Sequence, residues 1–222
     1  MDDIFKKYIE EDYKLFSEKL IPGANILGIR SNNLRLIAKE YVNKEDYSLL
    51  TKDLIYHEEK MVYMYMLSYI KDINLIYEKL DKIVPLIDNW AVWDASMNIK
   101  RINKNRDFFY SLITKYKDSK NEFEARFVLI MLLSHYMDEA YLDLIFELLE
   151  SVYVDKYYTK MAKAWLLCEC FIKYRDYTIK KLNNLKIDNF SFNKAIDKMR
   201  DSFRVSDEDK AYLKSIKRKH YD

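Results

Sequence analysis

Glycine and proline are almost missing: the chain has 222 residues, two glycines and two prolines. Tight hairpins and phosphate-cradling loops depend on glycine, so there is little material for β-meanders or for a Gly-rich nucleotide site. Both glycines, Gly23 and Gly28, fall in one stretch, PGANILGIRSNN. Histidine is scarce too. His57, His135 and His220 stand in separate segments, with no HExxH pattern and no Cys/His cluster, so no metal is expected. The only cysteines, Cys168 and Cys170, point to different faces of a helix and read as small core residues of a reducing compartment, not as a disulfide. No apolar run approaches the ~20 residues that cross a bilayer, and MDDIFKKYIEEDY lacks the basic start and apolar run of a signal peptide. A soluble cytoplasmic protein is expected. A charge excess is also missing: Lys+Arg 38 against Asp+Glu 36 leaves +2, so any affinity for nucleic acid must come from charge placement.

What remains is helix-forming. With 50% hydrophobic and 33% charged residues and so few breakers, the chain predicts helix nearly throughout. Ile4 to Leu20 repeats apolar residues at helical spacing (Ile4, Tyr8, Ile9, Leu15, Phe16) until Ile21-Pro22-Gly23. After Ser31-Asn32-Asn33 a second helix carries Leu34, Ile37, Ala38 and Tyr41 as its inward stripe. From Tyr47 to Lys82 the stripe breaks only at His57-Glu58-Glu59 and Lys71-Asp72-Ile73-Asn74. Turns follow at Lys104-Asn105-Arg106, 117–121, Met137-Asp138-Glu139 and 151–155, then helices near 156–173, 176–185, 191–200 and 207–217. About a dozen helices with short turns predict one all-α domain over 1–222, a HEAT-like helical-repeat solenoid of the ARM/HEAT type with a concave basic face. A compact irregular bundle is the other arrangement of the same helices.

Several polar residues sit where a core or a ligand must account for them. Trp90 and Asp94, four apart in DNWAVWDASMNIK, share a helix face near a helix start signalled by Pro85 and Asp88-Asn89. The plain explanation is a first-turn acid favoured by the helix dipole beside a core indole. Arg126 falls at the edge of the stripe Phe123, Phe127, Ile130, Leu133, Met137, where a guanidinium snorkels, pairs with an acid or meets a phosphate. Trp165 shares a face with Met161, Cys168 and Ile172 and by itself reads as core. Lys156, Lys160 and Lys163 form a basic ridge, and similar ridges recur at Arg35/Lys39, Lys100/Lys104, Lys194/Lys198 and Lys210/Lys214/Lys217. Each alone is a solvated face; several on one wall would hold a phosphate backbone.

Taken in order, these residues resemble the HEAT-like-repeat alkylpurine DNA glycosylases, the AlkD-like DNA alkylation repair proteins. Asn89-Trp90-Ala91-Val92-Trp93-Asp94 is similar to that family's NWxxxD. Glu124-Ala125-Arg126-Phe127 with Met131-Leu132-Leu133 is similar to its Arg-bearing helix, Ala162-Lys163-Ala164-Trp165 to its AIxW segment, and Leu27 to Arg30 to its LGI turn. The resemblance implies a monomeric repair glycosylase acting on duplex DNA with alkylated bases, without cofactor. Asp94, Trp90 and Trp165 would be catalytic, and Arg126, Lys160 and Lys163 would hold DNA phosphates. Two other classes stay open: a non-catalytic helical-repeat scaffold for nucleic acid or protein, and a small-molecule hydrolase built on His135 or His57.

Overall fold

In the computed structural model, residues 2–219 are described, and among them all regular structure is helical. The chain divides into two compact units, 1–109 and 110–222. His220 lies outside the described residues.

The first unit opens with two short helices, α1 (Asp3–Lys6) and α2 (Glu11–Leu20), where periodicity alone runs on as one. The interruption has a tertiary cause: the Glu10 N–H leaves the helical pattern to donate to the Gly28 carbonyl at 3.0 Å. The apolar repeat is not a buried face here: Leu15 and Phe16 on α2 are 52% and 53% exposed. In α3 (Ser31–Asn43) the stripe is as expected, with Leu34, Ile37, Ala38 and Tyr41 all buried. Helix α4 (His57–Tyr69) packs against α3 and α6 (Trp90–Ser96) and is buried from Glu58 to Leu67. His57-Glu58-Glu59, expected as a break, is its first turn, where acids suit the N-terminal dipole. The Glu59 carboxylate turns back to accept the N–H groups of Ile55 and Tyr56 at 2.9 and 3.0 Å. Helix α5 (Ile73–Ile83) starts at Asp72, whose carboxylate accepts from the N–H of Asn74 and Leu75, and buries Ile76, Leu80 and Ile83 on one face.

A helix not amphipathic at its start needs other anchoring, and Glu58 supplies it. Its carboxylate is 1% exposed and accepts the backbone N–H groups of Leu27, Gly28 and Ile29 at 2.9, 2.8 and 3.3 Å. The stretch that holds both glycines is thereby pulled into the core, with Ile26, Leu27 and Ile29 buried. Gly28 has φ +88°, and a Cβ there would come within 2.5 Å of the Glu10 carbonyl oxygen, so this position requires glycine twice over.

A helix α7 (Arg106–Tyr116) crosses the division. In the second unit α8 (Glu122–His135) starts at Asn121, whose side chain caps the N–H groups of Phe123 and Glu124. Then come α9 (Leu142–Ser151), α10 (Tyr157–Lys173), α11 (Arg175–Leu182), α12 (Asn189–Asp201) and α13 (Asp207–Ser215). Helix α10 packs against α8 and α12, and α12 against α13. Cys168 and Cys170 are free thiols in this core, and burial pushes them up to about 11 and about 12. No helix of the described residues is long and apolar enough to cross a membrane.

Candidate functional site

In the first unit the site begins with a short stop. Val84–Leu86 forms one 3-10 turn around Pro85, and the chain then runs extended through Asn89 into α6. Asn89 occupies the N-cap position but offers no side-chain cap; its amide donates to Asp88 at 2.9 Å, and Asp88 pairs with the buried Lys60 ammonium at 2.7 Å. On the seven-residue α6 the two indoles separate. Trp93 is fully buried, whereas Trp90 is half-buried and donates from Nε1 to the Leu20 carbonyl at 3.4 Å.

Trp90 lines a cleft of about 140 Å³ with Tyr13, Leu34, His57 and Met61. His57 is fixed by its backbone, whose N–H donates to the Asn25 carbonyl at 2.7 Å. Burial holds its imidazole below the ordinary value, and Glu58 and Asp88 pull the other way.

Asp94 follows Trp90 by four residues and is half-buried. Helix α6 has no acid in its first turn, so Asp94 stands in its C-terminal half. There the dipole disfavours a negative charge, which removes the dipole as the reason for an acid at this position.

In the second unit α8 and α10 are tied at their N-terminal ends. The Glu122 carboxylate accepts the Tyr158 N–H at 2.6 Å, and the Thr159 hydroxyl donates to the Glu122 carbonyl at 2.9 Å. Arg126 belongs to this junction: its Nη1 donates to the Tyr158 carbonyl at 3.1 Å and the residue is only 4% exposed. The periodicity of its own helix puts it at a stripe edge, but neighbouring elements cover that edge, since α8 is buried without interruption from Ala125 to Leu133.

The basic ridge of α10 divides likewise. Lys156 is exposed, and Lys160 is half-buried and paired with Asp155, which raises its pKa first through that hydrogen bond. Lys163 is 2% exposed, and burial lowers its pKa against the pull of Asp188 and Glu150. Trp165, two residues further, is half-buried. The sequence pattern passed over Glu58 and the junction around Glu122; for both, the partners lie 29 to 37 residues away in the chain.

A sequence model of the DNA alkylation repair enzyme family matches residues 4–199, nearly the whole chain. The chain belongs to that family. No curated protein matches it in a sequence search. Family membership supports an enzyme of DNA repair, with DNA as its substrate.

Proposed function

We propose that this protein is a monofunctional DNA glycosylase that hydrolyses the N-glycosidic bond of cationic N-alkylated purines, of the 3-methyladenine or 7-methylguanine type, in duplex DNA. The observation that carries this reading is Asp94, a partly accessible carboxylate one turn after a partly accessible indole, in a helix half where the dipole gives an acid no support.

Alkylation at a ring nitrogen gives the purine a positive charge, so it leaves readily and needs little acid catalysis. As the bond from C1′ to the base nitrogen breaks, its electron pair goes to the base and cationic character develops on the sugar. Asp94 stabilises that charge and orients the water that adds to C1′, taking up its proton. Trp90 and Trp165 each offer an electron-rich ring face, which attracts cationic character. Lys160 holds a backbone phosphate, exchanging Asp155 for it, while the buried Arg126 and Lys163 add positive charge within the same unit. None of these steps calls for a metal or a cofactor.

The test is base release from methylated duplex DNA by the wild type and by Asp94→Asn. Wild-type release with a steep loss in the variant supports the reading. A wild type that releases no base makes the protein a non-catalytic DNA-binding scaffold.

A further inference from the structure

The first turn of α4 reaches three neighbouring segments at once. The Glu58 carboxylate holds the turn at 27–29, and the Glu59 carboxylate, besides accepting N–H groups of its own helix start, pairs with Lys52 at 2.9 Å. Lys60 sends its ammonium to Asp88 Oδ2 at 2.7 Å. The first two contacts build the fold around α4 itself. The third ends two residues before Trp90, at the entry to the helix that carries Asp94.

The pair is lopsided. The Lys60 side chain is only 8% exposed, whereas that of Asp88 is 53% exposed. Drawing an ammonium out of water costs most of what its attraction to one acid returns, so such a pair adds little to stability. A charge-assisted hydrogen bond of this length is directional, and direction is what it supplies here. Asp88 passes it on. Its Oδ1 accepts the Asn89 side-chain amide at 2.9 Å, which leaves α6 without a side-chain cap, and the Asn89 backbone runs extended at φ −150° and ψ 160°. A helix of seven residues does not hold its own direction in water. Helix α6 packs against α4, and the hydrogen bond from Trp90 Nε1 to the Leu20 carbonyl is long at 3.4 Å. The polar anchor at its entry is therefore the Lys60 pair. Trp90 follows Asn89 directly and Asp94 stands one turn on, so a change in the entry direction moves both.

We propose that Lys60 is a positioning residue: through Asp88 and Asn89 it sets the direction in which α6 leaves its extended entry, and with it the placing of Trp90 and Asp94. The consequence for turnover rests on the glycosylase reading above; the geometry does not. Lys60 acts through α6 and not on DNA, since its ammonium is buried and already bonded.

The experiment follows three readouts on the full chain: single-turnover release of 7-methylguanine from methylated duplex DNA at saturating protein, affinity for the same duplex, and fluorine NMR of protein labelled with fluorotryptophan. Trp90→Phe assigns the Trp90 resonance. Lys60→Met is expected to release base up to ~10²-fold more slowly at unchanged affinity, the loss that a small misplacement of reacting groups causes. The Trp90 resonance shifts in this variant and that of Trp165 does not. Lys60→Arg keeps the charged pair and most of the rate. Asp88→Asn changes a side chain that is 53% exposed, so it gives a second reading should Lys60→Met fail to fold. The same losses are expected from it, and the double variant loses no more than either single one, because both act through one pair. A folded Lys60→Met with wild-type rate and an unmoved Trp90 resonance overturns the proposal. Additive losses in the double variant do so as well, as does a fall in affinity at unchanged rate. If the wild type itself releases no base, the glycosylase reading ends and the Trp90 resonance decides this inference alone: shifted in Lys60→Met and Asp88→Asn it stands, unmoved it falls.

Discussion

The Glu58 carboxylate accepts the Gly28 N–H at 2.8 Å across thirty residues of chain, and the same oxygen takes the Ile29 N–H at 3.3 Å. One buried acid thereby fixes the turn on which α2 and α3 are hung. Glu58→Gln turns an NH2 donor towards N–H groups and weakens charged hydrogen bonds worth ~1.5–3 kcal/mol each, so the variant is expected to lose about 3 kcal/mol or more. Chemical denaturation measures it, and a loss below about 1 kcal/mol would show that the turn holds without the charge. Gly28→Ala should lose stability as well, because both its φ of +88° and the 2.5 Å approach to Glu10 oppose a Cβ.

A pH dependence follows from His57. Burial holds its folded pKa below the usual value of 6.5, so the unfolded chain binds more protons between the folded value and about 6.5. Stability is therefore expected to fall as pH drops below about 6.5 and to stop falling once the folded imidazole itself titrates. His57→Gln should remove this part of the slope in denaturation midpoints measured from pH 7 to pH 5. Identical slopes in wild type and variant would mean that the ring reaches water freely.

Arg126→Ala is expected to cost stability as well as DNA affinity. At a stripe edge the side chain could be shortened harmlessly, but at 4% exposure it bonds the Tyr158 carbonyl. A charged hydrogen bond of this kind is worth ~1.5–3 kcal/mol. Denaturation and anisotropy on the same samples separate the two effects, and a variant of wild-type stability would put Arg126 back at the surface.

Helix periodicity made most of the fold legible. Leu34, Ile37, Ala38 and Tyr41 face inward as the spacing demands, and the turns before α5, α8 and α10 fall where polar clusters stand. Periodicity reports which face of one helix is apolar, not what covers the other face. It therefore misplaced Arg126 and Lys163, which lie on helices buried on several sides, and Leu15 and Phe16, whose apolar face stays exposed. The Trp90–Asp94 pair was legible as a spacing, but its place within α6 depends on where the helix starts, and that start at Trp90 leaves Asp94 beyond the first turn. Arg35 and the Lys100 to Lys104 turn were legible as separate basic stretches, but that they line one open groove depends on packing.

Lys160→Glu should weaken DNA binding more at low salt than at high salt. The substitution removes a cation whose ion-pair partner, Asp155, is an exposed acid a phosphate can replace, and it adds a second negative charge beside that acid. Binding curves at two or more salt concentrations test it. Parallel curves for wild type and variant would exclude this end of α10 from the DNA contact.

Asp94→Asn keeps the size of the side chain and removes its charge. If the carboxylate stabilises the sugar cation, release of 7-methylguanine from alkylated duplex DNA falls by ~10²–10³, the loss typical of one strong electrostatic contribution. A structural acid at the N-terminus of a helix would instead lose ~0.3–1 kcal/mol of dipole stabilisation and leave turnover alone. That alternative is weakened because α6 has no acid in its first turn and Asp94 stands towards its C-terminal end, where removing a negative charge relieves the dipole. Base release and denaturation measured on the same preparation separate the two. Undiminished release by the variant, with an active wild type, leaves glycosylase activity standing and takes Asp94 out of the chemistry.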